Sequence, residues 1–136
     1  MAGTHSAKPL AQKLGVKPGY RVSVLNAPLD YETILGQLPS GVVLVRELIS
    51  PIDLILFFTK TRKELEKKFP VLKLELSKSG GLWVSWPKAS SGIETDLNDN
   101  IVREIGLRNG LVDVKIASID KTWSALKFVY RVSDRG

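Results

Sequence analysis

The sequence predicts an α/β domain: a mostly parallel sheet flanked by helices and closed by a C-terminal antiparallel hairpin. Three observations predict it. Short runs rich in β-branched and aromatic residues alternate with capped, amphipathic helical segments through most of the chain. One run, Asp53 to Phe58 (DLILFF), shows no polar alternation, which marks a central strand covered on both faces. The final segment instead holds two period-two runs joined by a few residues, and so short a joint requires antiparallel strands.

With 136 residues the chain has the length of one domain. Residues 1–11 read as a flexible tail and 12–136 as a single α/β domain. Lys17-Pro18-Gly19 makes a turn into a strand over Tyr20 to Leu25. Asp30 is placed to cap a brief helix, Tyr31 to Leu38, which Pro39-Ser40-Gly41 closes. The run Val42 to Val45 fits a buried strand, and Ser50-Pro51 separates it from the central strand. Thr61 followed by Glu64 is a capping box, opening a helix with Leu65, Phe69 and Leu72 on one side. Pro70 is expected to kink or divide that helix, because proline lacks an N–H and crowds the preceding turn.

After Ser79-Gly80-Gly81, Leu82 to Trp86 (LWVSW) reads as a strand ended by Pro87. Thr95 or Asp96 would cap a helix from about Leu97 to Arg108, with Leu97, Ile101 and Ile105 in a stripe and Asn109-Gly110 as its stop. Val112 to Ile119 and Trp123 to Arg131 form the hairpin, with Leu126, Phe128 and Tyr130 on one face.

Composition removes several chemistries. The chain has no cysteine, so disulfides, thiolate nucleophiles and sulfur-ligated metals are excluded. Its one histidine, His5, falls in the tail and cannot build a His-based metal site or a Ser/His/Asp relay, which need several groups on a rigid frame. No metal or other cofactor is expected. No apolar stretch is long enough to span a bilayer, and the first residues hold no apolar leader core. A cytoplasmic protein without membrane contact is the expectation. Twenty Lys and Arg against fourteen Asp and Glu leave a formal charge of +6. That balance attracts polyanions, although the densest run, Lys60 to Lys68 (KTRKELEKK), also carries Glu64 and Glu66, which can pair with Lys67 or Lys68 on a solvated helix face.

Three segments resemble the framework of nucleotide-fold (Rossmann-like) methyltransferases that use S-adenosylmethionine. Leu14 to Asp30 is similar to the lead-in to that family's first motif, Pro51 to Phe58 to its central Asp-led strand, and Leu74 to Pro87 to its later Lys-x-Gly-Gly strand. The resemblance implies a reduced Rossmann-like sheet. It also implies an acidic residue and a glycine-rich turn after the first strand, where the backbone must approach the cofactor closely. In this chain Val24 stands at the acidic position, and Asn26 and Pro28 stand at glycine positions. Glu47, after the second strand, is the residue placed to hold a ribose. The C-terminal half is also similar to an uncharacterised bacterial family of small domains, over Ser85 to Lys88 (SWPK), Thr95 to Leu107 and Gly110 to Arg131. That resemblance implies a bacterial cytosolic protein.

Ligands of open parallel sheets bind beyond the C-terminal strand ends, where helix N-termini offer free N–H groups. In this topology Asn26, Lys60, Thr61, Arg62, Trp86 and Lys88 come from neighbouring strand ends, and the three cations suit a phosphate or carboxylate. The plainer alternative is that Thr61 only caps its helix while the cations face water. Trp86 either lines the pocket or is simply buried; Trp83 points to the opposite face and, like Trp123, reads as core. Asp96, Asn98 and Asp99 are explained by capping, with a divalent cation as the rival. The leading expectation is therefore a non-catalytic binding or regulatory module with an anionic-ligand site at the strand ends. Nucleic-acid association through a basic surface, a divergent S-adenosylmethionine-dependent methyltransferase and a protein partner at an exposed strand edge are the alternatives.

Overall fold

The computed structural model describes residues 9–29, 34–47, 49 and 51–135. Six strands form one sheet: β1 (Arg21–Leu25), β2 (Val43–Leu44), β3 (Ile52–Phe58), β4 (Leu76–Pro87), β5 (Leu111–Ser118) and β6 (Trp123–Tyr130), in the order β2-β1-β3-β4-β6-β5. The pairs β1–β2, β1–β3 and β3–β4 are parallel. The last strand, β6, enters between β4 and β5 and runs antiparallel to both. The predicted α/β class, parallel core and C-terminal hairpin are all present.

Helices cover the two faces separately. On one face α2 (Arg62–Glu75) and α3 (Asp99–Arg108) bury Leu65, Phe69, Leu72, Val102 and Ile105 against Phe57, Val84, Trp86, Leu126 and Phe128. On the other, Ala11 and Leu14 of the short α1 (Leu10–Leu14) and Leu35 pack on Leu56, Phe58, Trp83 and Trp123. Trp83 and Trp86 thus serve opposite layers, as strand alternation requires. The indole N–H of Trp83 donates to the Leu14 carbonyl at 2.9 Å, which satisfies a buried donor and ties α1 to the sheet. Helix α1 crosses the expected boundary between residues 11 and 12, and Ala11 is fully buried.

Several boundaries differ from expectation for physical reasons. The run Val42 to Val45 contributes only Val43 and Leu44 to the sheet, and both are about half exposed because β2 is an edge strand. The expected helix start at Asp30 to Thr33 lies outside the described residues; Ile34 and Leu35 form a turn. Pro70 does not divide α2, which runs unbroken from Arg62 to Glu75. Burial of Phe69 and Leu72 on either side, about 1.5–3 kcal/mol each, outweighs a proline cost of about 3 kcal/mol.

Strand β4 begins at Leu76, so Ser79-Gly80-Gly81 is strand and not loop. The glycines are there for close approach: a Cβ on Gly80 would lie 2.6 Å from the Asp53 carbonyl oxygen, and one on Gly81 2.6 Å from Lys127 Cε. Helix α3 is capped by Asn98, whose Oδ1 accepts from the Ile101 amide at 2.9 Å, because Thr95 and Asp96 are engaged elsewhere. Its buried side is Val102, Ile105 and Gly106, with Ile101 half-buried.

Gly106 has its own role at the α3–β6 contact. A Cβ there would meet Phe128 Cε1 at 2.0 Å, against a ring held edge-on to Phe69 at 5.4 Å. Glycine to alanine in a helix interior ordinarily stabilises by about 1 kcal/mol. Gly106→Ala should instead destabilise by about 1–3 kcal/mol through overpacking. Urea unfolding should show a lower midpoint, and a raised one would contradict this packing.

Candidate functional site

Strand β1 is followed by β2 on one side and by β3 on the other, so the topological switch point lies above the C-terminal ends of β1 and β3. Three side chains meet there. Asn26 follows β1 with φ 58°, the only positive φ among the described non-glycine residues. It thus takes the left-handed conformation that a glycine would otherwise supply, which asparagine tolerates better than most residues. Thr59 follows β3 and is buried. Glu64, in the first turn of α2, spans the gap: its Oε1 accepts from Thr59 Oγ1 at 2.6 Å and its Oε2 from Asn26 Nδ2 at 3.1 Å.

Helix α2 is positioned to do this by its own cap. Thr61 is the N-cap and its Oγ1 accepts from the Glu64 amide at 3.2 Å. The other half of the expected capping box is replaced, since the Glu64 carboxylate is turned toward Asn26 and Thr59. The next free donor of the helix start, the Arg62 amide, donates to Asp96 Oδ1 at 2.7 Å. Thr95 Oγ1 donates to the Lys60 carbonyl at 2.6 Å, so the segment before α3 is laid over the start of α2. The Arg62 guanidinium pairs with Glu66 at 3.3 Å and Glu104 at 3.7 Å. The expected pairing of Glu64 and Glu66 with Lys67 and Lys68 is replaced by these partners.

The six residues singled out in the sequence divide into two groups. Asn26, Lys60, Thr61 and Arg62 surround the start of α2, where protein carboxylates take the hydrogen-bond donors of Asn26 and Arg62. Trp86 and Lys88 instead line a cleft of about 750 Å³ at the end of β4, together with Ile93, Asn98, Asp99 and Ile116. Trp86 is largely buried but forms part of its wall. Lys88 Nζ donates to Ser118 Oγ of β5 at 2.6 Å. Asp99 Oδ1 accepts from the Asn100 amide at 3.0 Å, a local helix-start bond.

Sequence reasoning missed Glu64 and Asp96 as parts of this site. Each had a sufficient local explanation, one as half of a capping box and one as a cap for the next helix. The available signal for Glu64 was Thr59, a polar residue directly after the apolar run Leu54 to Phe58, five positions before it.

Comparison of the fold gives a consistent class. The chain superposes on magnesium protoporphyrin IX methyltransferase from Synechocystis, solved with bound S-adenosylhomocysteine, with a TM-score of 0.63 at 12% identity, covering 90% of this chain and 78% of that one. Precorrin-6y C5,15-methyltransferase from Geobacter metallireducens gives a TM-score of 0.62 at 9% identity, over 90% and 86% of the two chains. A ribosomal protein L11 methylase from Lactobacillus delbrueckii gives 0.55 at 12% identity, over 88% and 74%. Neither a family model nor a curated protein matches the chain. The fold is therefore that of Rossmann-like S-adenosylmethionine-dependent methyltransferases.

The residues at the switch point do not fit that cofactor. Val24 stands where the resemblance implies a carboxylate, and it lines a mainly apolar pocket of about 270 Å³ with Val22, Leu35 and Leu44, which Arg46 also borders. Pro28 has no N–H to offer a ligand. Between the ends of β1 and β3, where the cofactor would cross, the Glu64 carboxylate joins Asn26 to Thr59.

If that bridge holds β1 to α2, Glu64→Ala should destabilise the fold by about 1–2 kcal/mol, the scale of hydrogen bonds to a charged group that is partly solvated. Glu64→Gln should lose less, since its amide oxygen can still accept from Thr59. Equal stability of Glu64→Ala and the parent in urea unfolding would contradict the bridge.

Proposed function

We propose that this chain is a non-catalytic binding or regulatory module built on a methyltransferase-like sheet. The observation that carries this reading is the Asn26–Glu64–Thr59 bridge, which occupies with the protein's own carboxylate the crevice where such sheets receive their ligand. The Asp96 carboxylate on the Arg62 amide supports it further, because it uses the helix-start donor that an anion would otherwise take. The candidate place for a small anionic ligand is the end of β4, where Lys88 supplies positive charge, Asn98 a hydrogen-bonding side chain and Trp86, Ile93 and Ile116 apolar walls, although Glu94 and Asp99 line the same cleft.

Thermal unfolding separates this reading from a divergent methyltransferase. A ligand at about a hundred times its Kd stabilises a folded protein by about 2.7 kcal/mol, and at this chain length that moves Tm by several degrees. S-adenosylmethionine and S-adenosylhomocysteine should leave Tm unchanged. A saturable rise with either would overturn the non-catalytic reading. Among simple phosphates and dicarboxylates, a rise that Lys88→Ala abolishes is the expected sign of the β4-end cleft. A rise indifferent to Lys88→Ala, or no rise with any of them, would remove the cleft from consideration.

A further inference from the structure

The face of the sheet covered by α1 carries a group of lysines that lie outside the strand-end site and make none of the four ion pairs found among the described residues. Lys115 of β5 and Lys127 of β6 are direct partners in the antiparallel ladder. Opposed like charges at that spacing, about 4.5–5.5 Å between Cα atoms, destabilise a sheet. Lys17, just after α1, adds a third cation to the same field. Lys13, on α1, reaches the end of β5, where its Nζ donates to the Ser118 carbonyl at 2.6 Å. Burial first, and then repulsion by Lys115 and Lys17, lowers the Lys127 pKa below the ordinary lysine value. The ammonium there is thus held against its own preference.

Local structure maintains this arrangement. The Lys127 stem lies over Gly81, where a Cβ would come within 2.6 Å of its Cε, and its Nζ sits beside Gly15 and 5.9 Å from the Trp83 ring centroid. Among the described residues acid is sparse on this face, although Asp120 of the hairpin turn stands two positions from the Ser118 that Lys13 reaches. Residues 9–29 contain no Asp or Glu, and neither do the α1-facing positions Lys115, Ala117, Trp123, Ala125 and Lys127 of the hairpin. Among the described residues all four ion pairs within 4 Å involve the α2–α3 side of the molecule and none involves these lysines. The complement of such a surface is a ligand with several negative charges in a row.

We propose that Lys13, Lys17, Lys115 and Lys127 form a binding face for consecutive phosphate groups, the sugar-phosphate backbone of a nucleic acid being the occupant. Of the large exposed apolar side chains among the described residues, none belongs to α1 or to residues 15–20, and Val114, at the β5 irregularity beside Lys115, is too little on its own to anchor this surface in a bilayer. Trp83 beneath it is fully buried and offers bases no stacking surface. Recognition by the four lysines is through phosphate and is independent of base sequence. Inorganic polyphosphate shares this chemistry and serves to separate the two sources.

The test is fluorescence anisotropy with labelled single-stranded oligothymidylate on the full chain at low salt, repeated against inorganic polyphosphate as competitor. The variants are Lys115→Gln with Lys127→Met, which keeps the stem over Gly81, and the charge-matched control Lys63→Gln with Lys67→Gln on the exposed side of α2. The hairpin pair should weaken binding by about tenfold and reduce the salt slope by about 1.4, since each phosphate contact on a single strand contributes about 0.7. The control pair should bind like the parent. The hairpin pair should also melt at a higher temperature than the parent, because it removes an opposed like-charge pair, and this excludes loss of binding through unfolding. Competition by polyphosphate only at much higher phosphate concentration supports the nucleic-acid backbone; tighter binding of polyphosphate, lost in the same variants, would overturn that assignment of source. No binding by the parent at low salt, or equal loss in both pairs, would overturn the site itself.

Discussion

Two-sided burial of β3 and β4 is the constraint on which the rest of the structure depends. Five consecutive residues from Leu54 to Phe58 are almost wholly inaccessible, and so is β4 from Gly80 to Pro87. Strands of that kind cannot stand at an edge or face water, so each side needs a helical layer. The α2–α3 layer supplies one with Leu65, Phe69 and Val102, and α1 with the segment around Leu35 supplies the other. Once both layers are in place, the connections must pass over the ends of the strands. That places Asn26, Thr59 and the start of α2 together at the switch point.

The polar groups at that end are consumed by the protein itself. A crevice with a free asparagine amide, a threonine hydroxyl and an exposed helix start would be open to an anion. Here Glu64 joins the first two and Asp96 takes the Arg62 amide, so the same geometry becomes a joint between β1, α2 and the segment leading to α3. The scaffold keeps the left-handed turn after β1, with Asn26 in place of glycine, although the residues around it no longer suit S-adenosylmethionine. Likeness to methyltransferase structures carries the architecture of this chain, while its activity has to be argued from the site.

The legible parts of the sequence were those written as periodicity. The DLILFF run, the Leu65–Phe69–Leu72 stripe and the alternation of Leu126, Phe128 and Tyr130 translate directly into β3, α2 and β6. Glycine and proline misled where tertiary contact overrode local preference. Gly80 and Gly81 lie within β4, where the close approach of Asp53 and Lys127 leaves no room for a Cβ, and Pro70 stays helical because its neighbours are buried. In the site, strand ends were legible but pairing was not. Which carboxylate reaches Asn26 or the Arg62 amide depends on how α2 and the segment before α3 are laid across one another, a relation between residues more than thirty positions apart.

The central claim is that the switch point is occupied by the protein's own carboxylates, and solution NMR reads it directly. The Asn26 side-chain amide and the Arg62 backbone amide report on the two bonds to Glu64 and Asp96. With both donors engaged, their resonances should stay in place when S-adenosylmethionine or adenine nucleotides are titrated to saturating concentration, and should move in Glu64→Ala and Asp96→Ala respectively. Saturable, ligand-dependent shifts of these two amides in the parent protein would show an open cofactor crevice and contradict the claim.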